Sequence, residues 1–246
     1  MIIKDILFII KEDLKRLKSY PTLSVGEGFS IDYNKYWRKR RGETGTSTLS
    51  VWQKQRIDLI APLIKPNASV LDLGCGDGAV LYYLNSLVPI NGIGVDVSDE
   101  ALEKAKKKGI ETIKLDITDL KNIDKFPATD YITGFEIIEH MQNPEEFICR
   151  MTPKVRDGFI FSFPNTGYYA HRLRLLLGRF PLQWYAHPGE HVRFWTVKDV
   201  EWWVRAIGFS LDNLIIYQGV PILNKLFPKL FGMGIIINIK KDASKK

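Results

Sequence analysis

The sequence predicts an α/β fold, a doubly wound and mainly parallel sheet with helices on both faces. Two observations predict it. Between residues 69 and 163, short apolar runs alternate with helical stretches, the pattern of parallel strands joined by crossover helices. The first apolar run also ends in Gly74-Cys75-Gly76-Asp77-Gly78, and a glycine-rich strand-to-helix turn marks the ligand edge of such a sheet.

The elements follow in order. Residues 1–20 read as an amphipathic helix stopped by Pro21. Residues 21–50 read as loop and short helix outside the core, with a basic-aromatic run from Lys35 to Arg41 that is placed to cover a bound ligand. Residues 51–65 form a helix before Pro66, with Val51, Ile57, Leu59, Ile60 and Leu63 apolar. Strands are expected at Ser69–Leu73, Gly92–Val97, Thr112–Ile117, Tyr131–Glu136 and Phe159–Phe163. Helices are expected at Val80–Leu87, at Ser98–Lys108 with Ser98 as N-cap, and at Pro144–Met151. The alternation lapses from Asn165 to Trp195, an insertion rich in Tyr, Arg, Gly and Pro. It resumes with a helix at Thr196–Ile207 and strands at Leu211–Tyr217 and Ile235–Lys240. The organisation expected is an N-terminal helix and cap over 1–50 and one catalytic domain over 51–246, with 165–195 inserted as a substrate lid.

Composition narrows the class. A chain of 246 residues with 45% hydrophobic and 26% charged residues suits one globular domain with a real core. The formal charge of +7 is compatible with anionic partners without choosing among phosphorylated substrates, nucleic acid and acidic lipid, and a solvated basic surface is the favoured account of it. Cys75 and Cys149 form no Cys-x-x-Cys pair, which argues against a thiolate zinc site or a disulfide framework and fits a reducing cytoplasm. Ile2 to Ile10 is apolar but interrupted by Lys4 and Asp5, too short to span a bilayer, and no signal-peptide cleavage pattern follows.

The acids around the glycines point to a ligand. Gly74, Gly76 and Ala79 satisfy the G-x-G-x-x-A spacing of dinucleotide sites. A dinucleotide would set its pyrophosphate against Asp72 and Asp77, with no Arg or Lys nearby in sequence to compensate. S-adenosylmethionine instead brings an ammonium and a sulfonium, which carboxylates attract. Asp96, about 20 residues further on at the end of the second strand, is placed to accept hydrogen bonds from both hydroxyls of a ribose. Asp116 at the third strand end can take an adenine amino group while Ile117 packs on the ring.

Val70 to Gly78, Gly94-Val95-Asp96-Val97-Ser98 and Leu115-Asp116 resemble the successive motifs of class I S-adenosylmethionine-dependent methyltransferases, over about residues 50–165. The resemblance implies a Rossmann-like sheet of about seven strands with the last antiparallel. It assigns Asp72, Gly74 and Gly76 to the methionine part of the cofactor, Asp96 to the ribose, and Asp116 with Ile117 to the adenine. Val97 and Phe135 complete the cofactor-binding set.

Two further resemblances divide the class. Residues 159–199, with Ser162-Phe163-Pro164-Asn165, Arg172 to Arg179, Trp184-Tyr185 and His191, are similar to the MetW-type proteins of methionine biosynthesis. Phe135-Glu136-Ile137-Ile138-Glu139-His140-Met141 is similar instead to the ubiquinone-pathway O-methyltransferases and the small-RNA 3′-end methyltransferases, in which a Glu-x-x-Glu-His element binds a divalent metal. The spacing i, i+3, i+4 would put Glu136, Glu139 and His140 on one face of a helical turn. Two carboxylates and an imidazole suit Mg²⁺, Mn²⁺ or Zn²⁺, with His191 as a fourth ligand. In the metal-free alternative Glu139 and His140 order the loop or accept a proton, with His140 or His191 the candidate general base for the acceptor and Glu139 in the same catalytic set.

The expected reaction is methylation of an oxygen on a small-molecule acceptor. Two rivals stand beside it: an accessory protein acting through a partner enzyme, and an RNA methyltransferase, for which the basic-aromatic stretches would contact phosphates and stack on bases. In the insertion, Tyr168, Tyr169, His171, Arg172, Arg174, Trp184, Tyr185 and His187 suit a lid over the acceptor, while Leu173, Leu176 and Leu177 read as packing.

Overall fold

The computed structural model describes residues 2–20, 32–41, 49–183 and 190–242. Its centre is a seven-stranded sheet in the order β3-β2-β1-β4-β5-β7-β6. The strands are β1 (Ala68–Leu73), β2 (Ile90–Asp96), β3 (Glu111–Lys114), β4 (Thr129–Phe135), β5 (Val155–Pro164), β6 (Phe209–Tyr217) and β7 (Gly234–Lys241). The first five pair in parallel, and β7 runs antiparallel between β5 and β6. The expected architecture, last strand included, is therefore observed.

The chain winds outward from β1 to β3 and then returns to start the other half at β4. The switch point lies between β1 and β4, and the crevice outside their carboxyl ends is where such sheets bind ligands. Alternate residues of each strand face opposite layers. Leu71, Leu73, Phe159, Phe161 and Phe163 join one core with Trp195 and Trp203. Val70, Ile160 and Ile236 join the other with Ile57, Leu81 and Leu84. Burial on both faces explains why these strands read as continuous apolar runs.

Helices α3 (Val51–Ile60), α4 (Ala79–Leu87), α5 (Asp99–Lys106), α6 (Pro144–Met151) and α8 (Val197–Ala206) flank the sheet. Ser98 caps α5 as expected, its hydroxyl accepting the N–H of Ala101 at 3.2 Å. Ser50 and Gln53 close a capping box on α3, and a 3-10 turn at Ala61–Leu63 replaces the last turn expected of that helix, where Pro62 removes a donor.

The third strand is shorter than the sequence implied. It ends at Lys114, because Asp116 folds its carboxylate back onto the N–H and hydroxyl of Thr118, at 2.8 and 2.7 Å, and turns the chain. The insertion differs more. Its helix α7 (Tyr169–Leu176) buries Ala170 and Arg174, while Leu173, Leu176 and Leu177, expected to pack, are exposed. The reason is the helix α1 (Ile2–Lys18), which lies against α7 and presents an acid to it: Asp13 accepts the Tyr168 and Tyr169 hydroxyls at 2.6 and 2.8 Å. The polar edge of α7 thus became its buried edge. Trp184, Tyr185 and His187, assigned to the lid, lie outside the described residues.

Candidate functional site

The loop between β1 and α4 turns three times through left-handed backbone, at Gly74 (φ 64°), Gly76 (φ 55°) and Gly78 (φ 71°). Glycine is needed here for space as well as φ. A Cβ on Gly74 would stand 2.3 Å from Ile137 Cδ1, and one on Gly76 would stand 2.2 Å from the indole of Trp37. Trp37 belongs to helix α2 (Tyr33–Arg41), which is docked on α5: Asn34 accepts from Ser98 Oγ at 2.7 Å, and Arg38 pairs with Glu100 at 3.1 Å. The segment outside the sheet therefore reaches the glycine loop through Trp37. The side chains of Tyr36 and Lys39 to Arg41 lie outside the described residues.

Two buried acids flank this loop. Asp96 is tied to both neighbours: one oxygen accepts the Gly76 N–H and the other the Ser98 N–H, each at 2.9 Å. Each oxygen keeps a lone pair for a ligand hydroxyl. Burial raises its pKa, and the two N–H bonds offset this only in part. Asp72 accepts the Thr133 hydroxyl at 2.8 Å. Burial pushes Asp72 up to about 7, against the pull of Thr133 and Arg56 and with Asp96 adding to it. An arriving cation would restore its charge. Asp77 is different. The sequence shows no base near it, but folding brings Lys108 to 3.3 Å from its carboxylate and 2.8 Å from its carbonyl. The electrostatic case against a pyrophosphate thus rests on Asp72 and Asp96.

The remaining predicted contacts are spread along the same edge. Val97 is exposed just past Asp96, Phe135 is half-buried at the end of β4, and Ile117 is half-buried beyond the shortened β3. Asp116 is exposed, its Oδ1 engaged with Thr118.

After β4 the chain holds Glu136 at φ 58°, a left-handed conformation for a residue with a side chain. Its carboxylate accepts from Arg56 Nη2 and Ser162 Oγ, both at 3.0 Å, and Arg56 Nε donates to the Tyr217 hydroxyl at 2.8 Å. The expected single helical face does not form. Only Ile138–His140 adopt a 3-10 turn, and Glu136 stands before it, committed to Arg56. Glu136 is thus engaged by Arg56 instead of sharing a helical face with Glu139 and His140.

The set the structure gathers is Glu139, His140 and His191, one donor atom of each lying within 4.8 Å of the others. Glu139 is 1% exposed, and neither carboxylate oxygen has a hydrogen-bond donor among the described residues. Burial, reinforced by the Glu136 carboxylate, holds its pKa well above the usual carboxylate range. His140 Nδ1 lies 2.5 Å from the Glu190 carbonyl. A carbonyl only accepts, so Nδ1 donates the proton in this contact and Nε2 is the nitrogen turned away from it. The His191 ring stands perpendicular to His140 at 4.7 Å, and burial, with His140 beside it, lowers its pKa to about 4. The backbone locks this arrangement: Val192 and Arg193 N–H both bind the Glu139 carbonyl, at 2.9 and 3.1 Å.

The sequence singled out Glu136, Glu139, His140 and His191 but missed Arg56, Ser162, Tyr217 and Thr133. Arg56 alone carried a signal, a charge on the helical face shared with Ile60. The others are ordinary strand residues whose role exists only through tertiary contact.

Comparison with known proteins bears on the family and the fold. The family model for the methionine biosynthesis protein MetW matches residues 54–234. The chain is 26% identical over 175 residues to a bifunctional methionine biosynthesis protein MetXA/MetW of Rhodopirellula baltica, covering 65% of this chain and 28% of that protein. It is 28% identical over 167 residues to a mitochondrial ubiquinone biosynthesis O-methyltransferase of Candida albicans (60% and 50% covered). It is 32% identical over 105 residues to an (S)-coclaurine N-methyltransferase of Thalictrum flavum (40% and 29% covered). The chain thus spans half or less of the length of these three curated relatives. Among solved structures, the magnesium protoporphyrin IX methyltransferase of Synechocystis PCC 6803 with bound S-adenosylhomocysteine superposes with a TM-score of 0.55 at 16% identity, covering 94% of each chain. An S-adenosylmethionine-dependent methyltransferase of Archaeoglobus fulgidus gives 0.55 at 19% identity, covering 85% of this chain and all of the other. The shared fold is that of class I methyltransferases.

Proposed function

This chain belongs to the MetW family, and we propose that it is an S-adenosylmethionine-dependent methyltransferase acting on an oxygen of a small-molecule acceptor. The observation that carries the reading is Asp72, buried beside three left-handed glycines and held near pKa 7 until a cation reaches it. In this reading Asp72 takes the cofactor's ammonium, with Gly74 and Gly76 admitting its methionine chain. Asp96 takes the ribose hydroxyls on its remaining lone pairs, beside Val97. Asp116 and Ile117 face the adenine, with Phe135 on the β4 side. When bound, the cofactor supplies a methyl group on a sulfonium, which passes to the acceptor oxygen as the sulfur–carbon bond breaks.

The chain's own part is to position the acceptor and take its proton. His140 has the geometry of a general base, since Nδ1 donates to the Glu190 carbonyl and Nε2 is turned away from it. His191 is neutral above about pH 4 and stands beside it. Arg56, itself anchored by Tyr217, and Ser162 hold Glu136, which in turn raises the proton affinity of Glu139. The same cluster fits a divalent cation. Two oxygens of a buried carboxylate without donors among the described residues, together with two imidazole rings, suit a Mn²⁺ or Zn²⁺ site. Glu139, His140 and His191 would hold the ion, and its charge would lower the pKa of an acceptor hydroxyl.

The test is formation of S-adenosylhomocysteine from S-adenosylmethionine with a panel of phenols, catechols and amines as acceptors, with and without Mg²⁺, Mn²⁺ or Zn²⁺. Turnover on hydroxylated acceptors is expected. Turnover confined to amines would overturn the oxygen assignment. A second reading is favoured by the Rhodopirellula relative, whose name joins MetXA and MetW in one bifunctional protein: an accessory chain acting through a partner enzyme. Stable co-purification of a partner, with no methyl transfer to any acceptor, would select it.

A further inference from the structure

Helix α1 carries a broad apolar surface, and the described residues cover only one side of it. Ile6, Ile9 and Ile10 pack with Tyr168, Tyr169 and Phe231, and Asp13 on the same face binds both tyrosine hydroxyls. The buried guanidinium of Arg174 takes the carbonyls of Arg16, Leu17 and Ser19 at the end of α1, and Arg179 takes that of Lys18. These contacts hold α1 against α7 as one lobe.

The other side is exposed. Ile3, Leu7 and Leu14, at i, i+4 and i+11, form one stripe and are 71%, 61% and 53% exposed. Lys4, Lys11 and Lys18 recur every seven residues directly beside that stripe, with Phe8 beyond them at 64% exposed. The acids Asp5 and Glu12 lie further round, on the edge away from the stripe. On the same lobe α7 exposes Leu175 and Leu176, the latter by 82%, and Leu177 and Phe180 follow. Neither α1 nor any other helix among the described residues is long and apolar enough to cross a membrane.

We propose that this lobe docks the protein on an anionic lipid surface, with α1 lying in the plane of the interface. An apolar stripe bordered by lysines is the pattern of helices that bury side chains at the headgroup boundary while their ammonium groups stay among the phosphates. The charge of the chain, +7, has the matching sign. A second copy of the chain fits less well. In an isologous contact the patch meets itself, so the row Lys4, Lys11, Lys18 would face its own like charges.

The test is co-sedimentation of the full chain with vesicles of phosphatidylcholine alone and of phosphatidylcholine with phosphatidylglycerol, at low and at physiological salt. Binding to the anionic vesicles is expected, weakening with salt. Leu7→Asp with Leu14→Asp should lower the partition coefficient at least tenfold. Lys4, Lys11 and Lys18 changed to Gln should abolish the preference for anionic lipid. All five side chains are exposed, and an unchanged Tm confirms that each variant is folded. Sedimentation no greater than without vesicles, or binding indifferent to Leu7→Asp and Leu14→Asp, overturns the proposal. So does a dimer in light scattering that those two substitutions dissolve, which would assign the face to a second copy. No step of this assay reads methyl transfer, so its failure leaves the proposed activity untouched.

Discussion

At the scale of single residues the site is a set of carboxylates that burial holds away from their usual charge. Asp72 gives the sharpest consequence. Its folded pKa of about 7 lies above that of an exposed aspartate. The ligand-free protein therefore keeps this proton between about pH 4 and 7, and loses stability as the pH rises through that window. Asp72→Asn removes the penalty and leaves an acceptor for Thr133. We expect the ligand-free variant to be more stable than the parent by about 2–4 kcal/mol at pH 8 and nearly equal to it at pH 4. The same variant should bind S-adenosylhomocysteine poorly at every pH, whereas the parent's affinity should rise up to about pH 7 and then level. Thermal melts and calorimetry across pH 4–8 check both trends, and a parent affinity that falls with pH would contradict them. Glu139→Gln keeps the shape of its side chain and removes an anionic donor. Cation uptake, read by elemental analysis after dialysis against Mn²⁺ or Zn²⁺, should fall at least tenfold while S-adenosylhomocysteine binding stays within a factor of two. Equal uptake by parent and variant would remove Glu139 from the ligand set. The glycine loop and Asp96 were legible in the sequence because their pattern is local, a strand end followed by a turn. The true neighbours of Glu136 were not, because Arg56 and Ser162 lie 80 and 26 residues away and meet it only when α3 and β5 pack beside β4.

At the scale of elements, most strands and helices appear where their apolar periodicity placed them, and the exceptions have local causes. An aspartate turned onto Thr118 ends β3 early, and a proline shortens α3. Helix α7 rotated its leucines outward because α1 offered a buried acid to its tyrosines, a contact between residues 155 positions apart that no window of sequence contains. Asp13→Ala leaves two buried phenols without their acceptor. It should cost about 1–3 kcal/mol of stability and leave S-adenosylhomocysteine affinity unchanged, since neither α1 nor its tyrosine partners contribute a residue to the assigned cofactor set. A chemical melt with a parallel titration checks this, and a matched loss of affinity would tie α1 to the site. Helix α2 should behave oppositely. Gly76→Ala sets a methyl group into the Trp37 indole and into left-handed backbone, so it should lower stability by about 1–2 kcal/mol. In a Trp37→Ala background the same change should cost less stability and still prevent cofactor binding. Equal costs in both backgrounds would show that the indole does not press on the loop.

At the scale of the whole molecule, the sheet places Asp72, Asp96 and the Glu139 cluster along one edge, at the ends of β1, β2 and β4. On the proposed function, ligand binding and catalysis divide between the two halves of the sheet, with the switch point between them. That division predicts that a ligand held by the β1–β2 half alone stabilises the fold by mass action, about 2.7 kcal/mol at a hundredfold excess over its Kd. It also predicts that S-adenosylhomocysteine needs no added cation to bind. Isothermal calorimetry of the cation-free protein with S-adenosylhomocysteine, beside NAD and beside the Asp96→Ala variant, tests the central claim most directly. The predicted result is micromolar-range binding of S-adenosylhomocysteine, weakened by about 2–4 kcal/mol in Asp96→Ala as two charge-assisted hydrogen bonds are lost, and no comparable binding of NAD. Tighter binding of NAD, or S-adenosylhomocysteine affinity untouched by Asp96→Ala, would contradict it.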